Sequence, residues 1–409
     1  MTESRRNYVL LLVLASVVIS TALGLRQSLG LFMQPMVTGL GISAASFGFA
    51  IALQNLAWGL SQPFVGAMAD RYGARPVVMG TALVFALGLA LMLFAQRIPA
   101  GLQIAGVLIG IGIAGTGFGV LIGTVSRAAP PARRTQTVGL VAAAGSLGTM
   151  IIAPLGQGLI GAFGWQTAML AFAALAASMM LVAVPLRAPA AAKAAAKAAA
   201  AAQVTLRDTV HEALAHRGYV FMTFAFFACG FQLVFITSYL PSYLELCGIA
   251  PGVGATALAL IGLFNAIGTY VFGLLGARYS QRRLLALIYL MRTLTIAAFL
   301  LLPVTPATTL VFAAAMGLLW LGVVPLVTGI IGRTFGFTYF NTLYGIAFLS
   351  HQVGSFVGAW MGGVVFDRTQ RYDIAWAALI VIGVIAFLLQ WTMDERPPRP
   401  RASAAAMAA

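Results

Sequence analysis

Twelve long apolar runs recur along the chain, at about residues 8–36, 47–69, 77–96, 101–126, 138–161, 165–186, 218–242, 252–277, 284–303, 307–332, 341–366 and 374–393. Crossing about 30 Å of hydrocarbon takes ~20 helical residues, and each run is long enough. The runs are continuous rather than alternating, so they predict helices and not barrel strands. In lipid a helix satisfies its own backbone hydrogen bonds. The predicted fold class is all-α: a polytopic membrane protein with twelve transmembrane helices.

Composition agrees with this pattern. Apolar types make up 61% of the chain and charged types 8%, against about 45–50% and about 25% in soluble proteins. The net charge of +15 matters through its distribution. Arg5, Arg6, Arg71, Arg75, Arg127, Arg133, Arg134, Arg187, Lys193, Lys197, Arg207, Arg217, Arg278, Arg282, Arg283, Arg333, Arg396, Arg399 and Arg401 all fall on one side of the spans. The other side holds only Arg97, Arg368 and Arg371. The positive-inside rule therefore puts both termini of this multi-pass protein in the cytoplasm, and the membrane expected is a bacterial inner membrane.

The basic start and apolar run MTESRRNYVLLLVLASVV read as an uncleaved first span. No basic stripe interleaves with exposed aromatics, so nucleic acid is not an expected partner. Membrane lipid and a small molecule are, with the chain acting as a monomer. Cys229 and Cys247 would lie roughly 27 Å apart on one helix and cannot pair. No metal-ligand spacing, HExxH, GxSxG or P-loop occurs, so neither a metal, a cofactor nor an enzyme is expected. Gly110, Gly112 and Gly115 fit a dinucleotide fingerprint in spacing alone; mid-span, they read as small residues that let helices approach.

The halves repeat. Gly66/Gly273, Arg71/Arg278 and Arg75/Arg282 are each 207 residues apart. Pro35/Pro241, Arg127/Arg333, Gly139/Gly345 and Gly148/Gly354 are each 206 apart. So constant an offset predicts two pseudo-symmetric six-helix bundles related by an axis along the membrane normal. The expected units are an N-terminal bundle (1–187), an Ala/Lys-rich cytoplasmic linker (188–217), a C-terminal bundle (218–395) and a cytoplasmic tail (396–409).

GAMADRYGARP (66–76) resembles the loop signature between helices 2 and 3 of the major facilitator superfamily, through Gly66, Asp70, Arg71, Gly73 and Arg75. The resemblance covers essentially the whole chain. It implies two six-helix domains around a cavity that opens to either side in turn, with those five residues gating the cytoplasmic face. In the second copy Ala277 stands where Asp70 stands in the first, which makes the relay one-sided. YLMRTLTIAAFLLLP and FLSHQVGSF are similar to the bacterial monocarboxylate and oxalate/formate branch. That branch commonly carries an arginine in helix 8, where this chain has Thr269. APLGQG (153–158) partly resembles a motif of antiporters in the same superfamily.

Candidate chemistry lies in the charges buried in apolar runs. Arg26 sits inside the first span, Arg292 near the middle of the ninth, and His351 near the middle of the eleventh beside Gln352. A charge in hydrocarbon costs a few kcal/mol or more and usually faces protein or a watery cavity. None of the nine acids lies in the middle of a span; Glu245 is at the end of the seventh. Deep arginines without deep carboxylates predict an anionic cargo, since a guanidinium fork matches a carboxylate. Backbone carbonyls or chloride would meet the same need. The expected substrate contacts are Arg26, Gln27, Asn55, Tyr239, Asn265, Arg292, His351 and Gln352, with His351 or Glu245 carrying a coupled proton. The function expected is proton-coupled symport of a small organic anion by alternating access. The alternative is an exporter of a neutral or amphipathic metabolite or drug.

Overall fold

The computed structural model describes residues 3–95, 97–98, 100–128, 134–186, 206–335 and 340–394. The tail from 396 and residues 188–205 of the expected linker lie outside them. In chain order the helices are α1 (Glu3–Gln27), a 3-10 turn (Leu29–Phe32), α2 (Met33–Leu40), α3 (Ala44–Tyr72), α4 (Ala74–Met92), α5 (Gly101–Thr116), α6 (Phe118–Ala128) and α7 (Arg134–Ala183). The second half holds α8 (Leu206–Ala215), α9 (Arg217–Leu246), α10 (Pro251–Arg278), α11 (Gln281–Leu301), α12 (Pro306–Leu318), α13 (Val323–Phe335), α14 (Phe340–Thr369) and α15 (Asp373–Thr392).

Nine of the described stretches are long and apolar enough to cross a membrane by length and composition. One of them, within α7, contains two spans. Its 50 residues would make a rod of about 75 Å, more than twice the hydrocarbon thickness. The chain breaks at Gly164, whose φ of 81° and ψ of 164° leave the helix. A glycine takes such a φ without steric cost. The helices α3 and α14 complete the twelve expected spans. Polar groups such as Gln54, Asn55, Gln62, His351 and Gln352 dilute their apolar character.

The two six-helix bundles pack through these more polar spans. α3 runs along α14, α7 along α10, and the 3-10 turn after α1 against α9. Both bundles interrupt the same span: α5 gives way to α6 at Gly117, and α12 to α13 across Leu319–Gly322. Gly110 lies against the Gln54 carbonyl of α3, so the glycine fingerprint serves helix packing. The face at which α1 begins and α15 ends also bears Arg71, Arg75, Arg278, Arg282, Arg283 and Arg333; the opposite, distal face bears Glu245, Asp367, Arg368, Arg371 and Asp373.

Candidate functional site

Arg26 occupies the last turn of α1. There the helix tightens: the Ser28 hydroxyl donates to the Gly24 carbonyl at 2.8 Å, and a 3-10 turn follows. Short 3-10 segments inside a span often mark functional hinges. The Arg26 Nη2 donates to Asn55 Oδ1 at 2.5 Å, and the guanidinium lies 4.9 Å from the centre of the Trp58 ring. Its Nε is buried with no hydrogen-bond partner. Among the described residues no acid pairs with it; the one ion pair seen joins Arg371 and Asp373 on the distal face at 2.6 Å.

Arg26, Gln27, Gln54 and Asn55 of the first bundle face Thr237 and Ser238 of the second across a cavity of ≈ 10 Å³. That is room for about one water. The bundles are therefore closed around Arg26, and anything larger needs them to part. Gln54 Oε1 is also buried without a partner.

Asn55 links this cavity to the other half. It is fully buried. Its Nδ2 donates to the Ile51 carbonyl at 2.7 Å, and its own carbonyl accepts from Gln352 Nε2 at 3.0 Å. Gln352 Oε1 lies 3.0 Å from His351 Nδ1. The imidazole stacks on Phe348 at 5.8 Å between centroids and lies 4.9 Å from the Phe226 ring. Arg26, Asn55, Gln352 and His351 thus form one polar thread across the interface.

The other expected residues lie elsewhere. Arg292 is fully buried and is not among the residues lining the Arg26 cavity. Its Nε and Nη2 donate to the Leu319 carbonyl at 2.9 and 2.6 Å, and Nη2 also donates to the Trp320 carbonyl. These oxygens are freed where α12 ends before α13 begins. Asn265 serves the same break. Its Oδ1 accepts from the Leu321 amide at 2.9 Å, while its Nδ2 donates to Ser146 Oγ of the first bundle at 2.9 Å. The Tyr239 hydroxyl donates to the Ala359 carbonyl.

Glu245 lines a separate cavity of ≈ 320 Å³ at the distal end, with Gln34, Thr38 and Gln157. His351 packs beside Phe226 and Gly230 of α9, so Glu245 stands at least about 20 Å further along that helix. The two proton candidates do not share a site. Arg71 and Arg75 flank the turn at Gly73 (φ 91°) between α3 and α4, while the Asp70 side chain lies outside what is described.

Gln54 lines the cavity and Trp58 lies under the Arg26 guanidinium, and neither is among the residues expected from the sequence. Their signal is the spacing Gln54–Asn55, Trp58, Ser61–Gln62, which repeats every three to four residues and sets one polar face on α3.

Residues 11–359 match the major facilitator superfamily. This chain belongs to that superfamily. It is a transporter by family. Monocarboxylate transporter 13 of Rattus norvegicus is 27% identical over 376 residues, covering 90% of this chain and 83% of the relative. The oxalate:formate antiporter of Oxalobacter formigenes is 24% identical over 393 residues, covering 95% and 92%. A D-xylose-proton symporter crystal structure superposes with a TM-score of 0.74 at 13% identity, covering 97% of this chain and all of that one; it carries the fold alone.

Proposed function

We propose that this transporter carries a small organic anion of the monocarboxylate type, coupled to protons, by alternating access of its two bundles. The observation that carries the reading is Arg26: a guanidinium between the bundles, with an unpartnered Nε and no acid paired with it among the described residues. An anionic guest balances that charge and accepts from its fork. The relatives named for monocarboxylates and for oxalate and formate support the same cargo class.

In this reading Arg26 binds the carboxylate and Asn55 aims it, with Gln27 and Tyr239 shaping the site. His351 takes up the proton, and Gln352 passes its state to the backbone beneath Arg26 through Asn55. Glu245 receives protons at the distal mouth. Arg292 and Asn265 act indirectly, by fixing the break between α12 and α13. The arginine-rich face is cytoplasmic in a bacterial inner membrane, and the loop of Gly66, Asp70, Arg71, Gly73 and Arg75 gates it. The chain works as a monomer.

Uptake of labelled carboxylates into proteoliposomes, with and without a pH gradient, tests this. Saturable uptake that collapses in Arg26→Gln is expected. Equal uptake by Arg26→Gln and wild type would remove the anion site. Efflux of a neutral compound that ignores Arg26 would point instead to an exporter.

A further inference from the structure

The first turn of α3 is completed by the other half of the molecule. A helix begins with four amides that lack intrahelical partners. In α3 the Phe47 amide is the first to find a helical carbonyl, that of Ser43 at 3.2 Å, and the Ser43 side chain accepts from the Ser46 amide at 3.1 Å. The Ala44 and Ala45 amides remain. They donate to Asp367 of α14, to Oδ1 at 3.1 Å and Oδ2 at 2.9 Å. One carboxylate thus spans the distal seam with both oxygens engaged, at the positive end of the helix dipole.

The approach that allows this is built into α14. Ala359, Gly363 and Asp367 recur every four residues and so share one helix face. Ala359 accepts the Tyr239 hydroxyl beside Gly48 of α3. A Cβ at Gly363 would lie 2.5 Å from the Ala44 carbonyl oxygen and 2.6 Å from the Ala45 Cα, so only glycine fits. The hydrogen bonds and ring contacts seen joining the two bundles reach from mid-depth to the distal face. They run from Trp58–Phe348 and Gln352–Asn55 outward to Asp367.

We propose that Asp367 is the latch of the distal gate: it holds the bundles shut on that face by capping α3 from α14, and releases when the distal side opens. The carboxylate is exposed, so water can replace the amides as it leaves. The bond is then a cheap contact to remake in every cycle, unlike a buried pair. The inference needs alternating access of the two bundles but not the identity of the cargo.

Spin labels placed at the exposed distal positions Phe163 and Leu302, with Cys229 and Cys247 replaced, report the separation of the bundles by pulsed dipolar spectroscopy. Asp367→Ala should raise the ratio of long to short distances about tenfold, the scale of charge-assisted hydrogen bonds at a helix terminus. Asp367→Asn keeps the shape and one acceptor, and should fall between. Should Asp367→Ala not fold, Asp367→Asn decides alone. Distance distributions matching wild type in the variants that fold would overturn the latch. Failure of both variants to fold would also overturn it, since the bond would then belong to the fold rather than to a switch.

Discussion

Arg26 and Gln352, on opposite bundles, meet on one asparagine. The Asn55 side-chain oxygen accepts from Arg26 at 2.5 Å, while its backbone carbonyl accepts from Gln352 at 3.0 Å. Arg26 and Asn55 lie in the same bundle, so their bond can persist while the Gln352 bond, which crosses the seam, must break when the bundles part. This makes Asn55 a mechanical link between the proposed cargo site and His351, and it determines what substitutions along the thread should do.

Arg26→Gln should lose cargo binding. Truncating one partner of a buried charge pair costs at least about 2 kcal/mol, roughly 30-fold in apparent affinity. Arg26→Lys keeps the charge but not the fork that reaches both cargo and Asn55, so its KM should lie between. Labelled-carboxylate uptake as a function of concentration measures both. The thermal midpoint of Arg26→Gln without cargo should stay near that of wild type, because removing a charge from an apolar span offsets the lost bond.

His351→Asn should separate transport from its driving force. The imidazole is the one side chain of the polar thread able to take up and release a proton, Arg26 staying charged and the two amides not titrating. Exchange of labelled anion at equal concentrations on both sides should persist. Accumulation driven by a pH gradient should fall to background. Loss of both activities together would place His351 in cargo binding instead.

The twelve spans and the twofold repeat were legible because run length and residue offset are one-dimensional quantities. Which way a side chain faces is not. Arg26 and Arg292 look alike in sequence, each an arginine inside an apolar run. One faces the seam between the bundles, while the other is bound to the Leu319 and Trp320 carbonyls. The difference comes from helix rotation and from a break in the tenth span. The break has a local cause in Gly322 and Pro325, the latter lacking the amide that would bond the Leu321 carbonyl, while Asn265 and Arg292 satisfy the backbone groups it leaves free. The Asp367 cap on α3 joins residues more than 300 positions apart, so no local pattern reveals it. The polar stripe of α3 was readable, since its spacing is helical, and it would have added Gln54 and Trp58 to Asn55.

Arg292→Ala should act on stability. The guanidinium engages two freed carbonyls in a fully buried setting, and leaving buried acceptors without their donor costs about 1–3 kcal/mol. The thermal midpoint in detergent should drop by several degrees, with Arg292→Lys recovering part of it. The KM of the surviving protein should match wild type. A raised KM with an unchanged midpoint would mean that Arg292 touches the cargo.

Asn265 joins the two bundles and the tenth-span break through a single side chain, and a double-mutant cycle can separate these duties. Asn265→Ala leaves the buried Leu321 amide without its acceptor, at a cost of about 1–3 kcal/mol. Ser146→Ala removes only the hydroxyl that accepts from Asn265 Nδ2. In the folded state seen here both bonds exist, so the two substitutions should couple, with the double variant less damaged than the sum of the singles by about 0.5–1.5 kcal/mol. Asn265→Asp retains the acceptor for Leu321 and can accept from the Ser146 hydroxyl. It should therefore keep more of the thermal midpoint than alanine despite its charge. Strict additivity of Asn265→Ala and Ser146→Ala would mean that this contact contributes nothing, leaving Gln352–Asn55, Trp58–Phe348 and the distal seam to hold the bundles together.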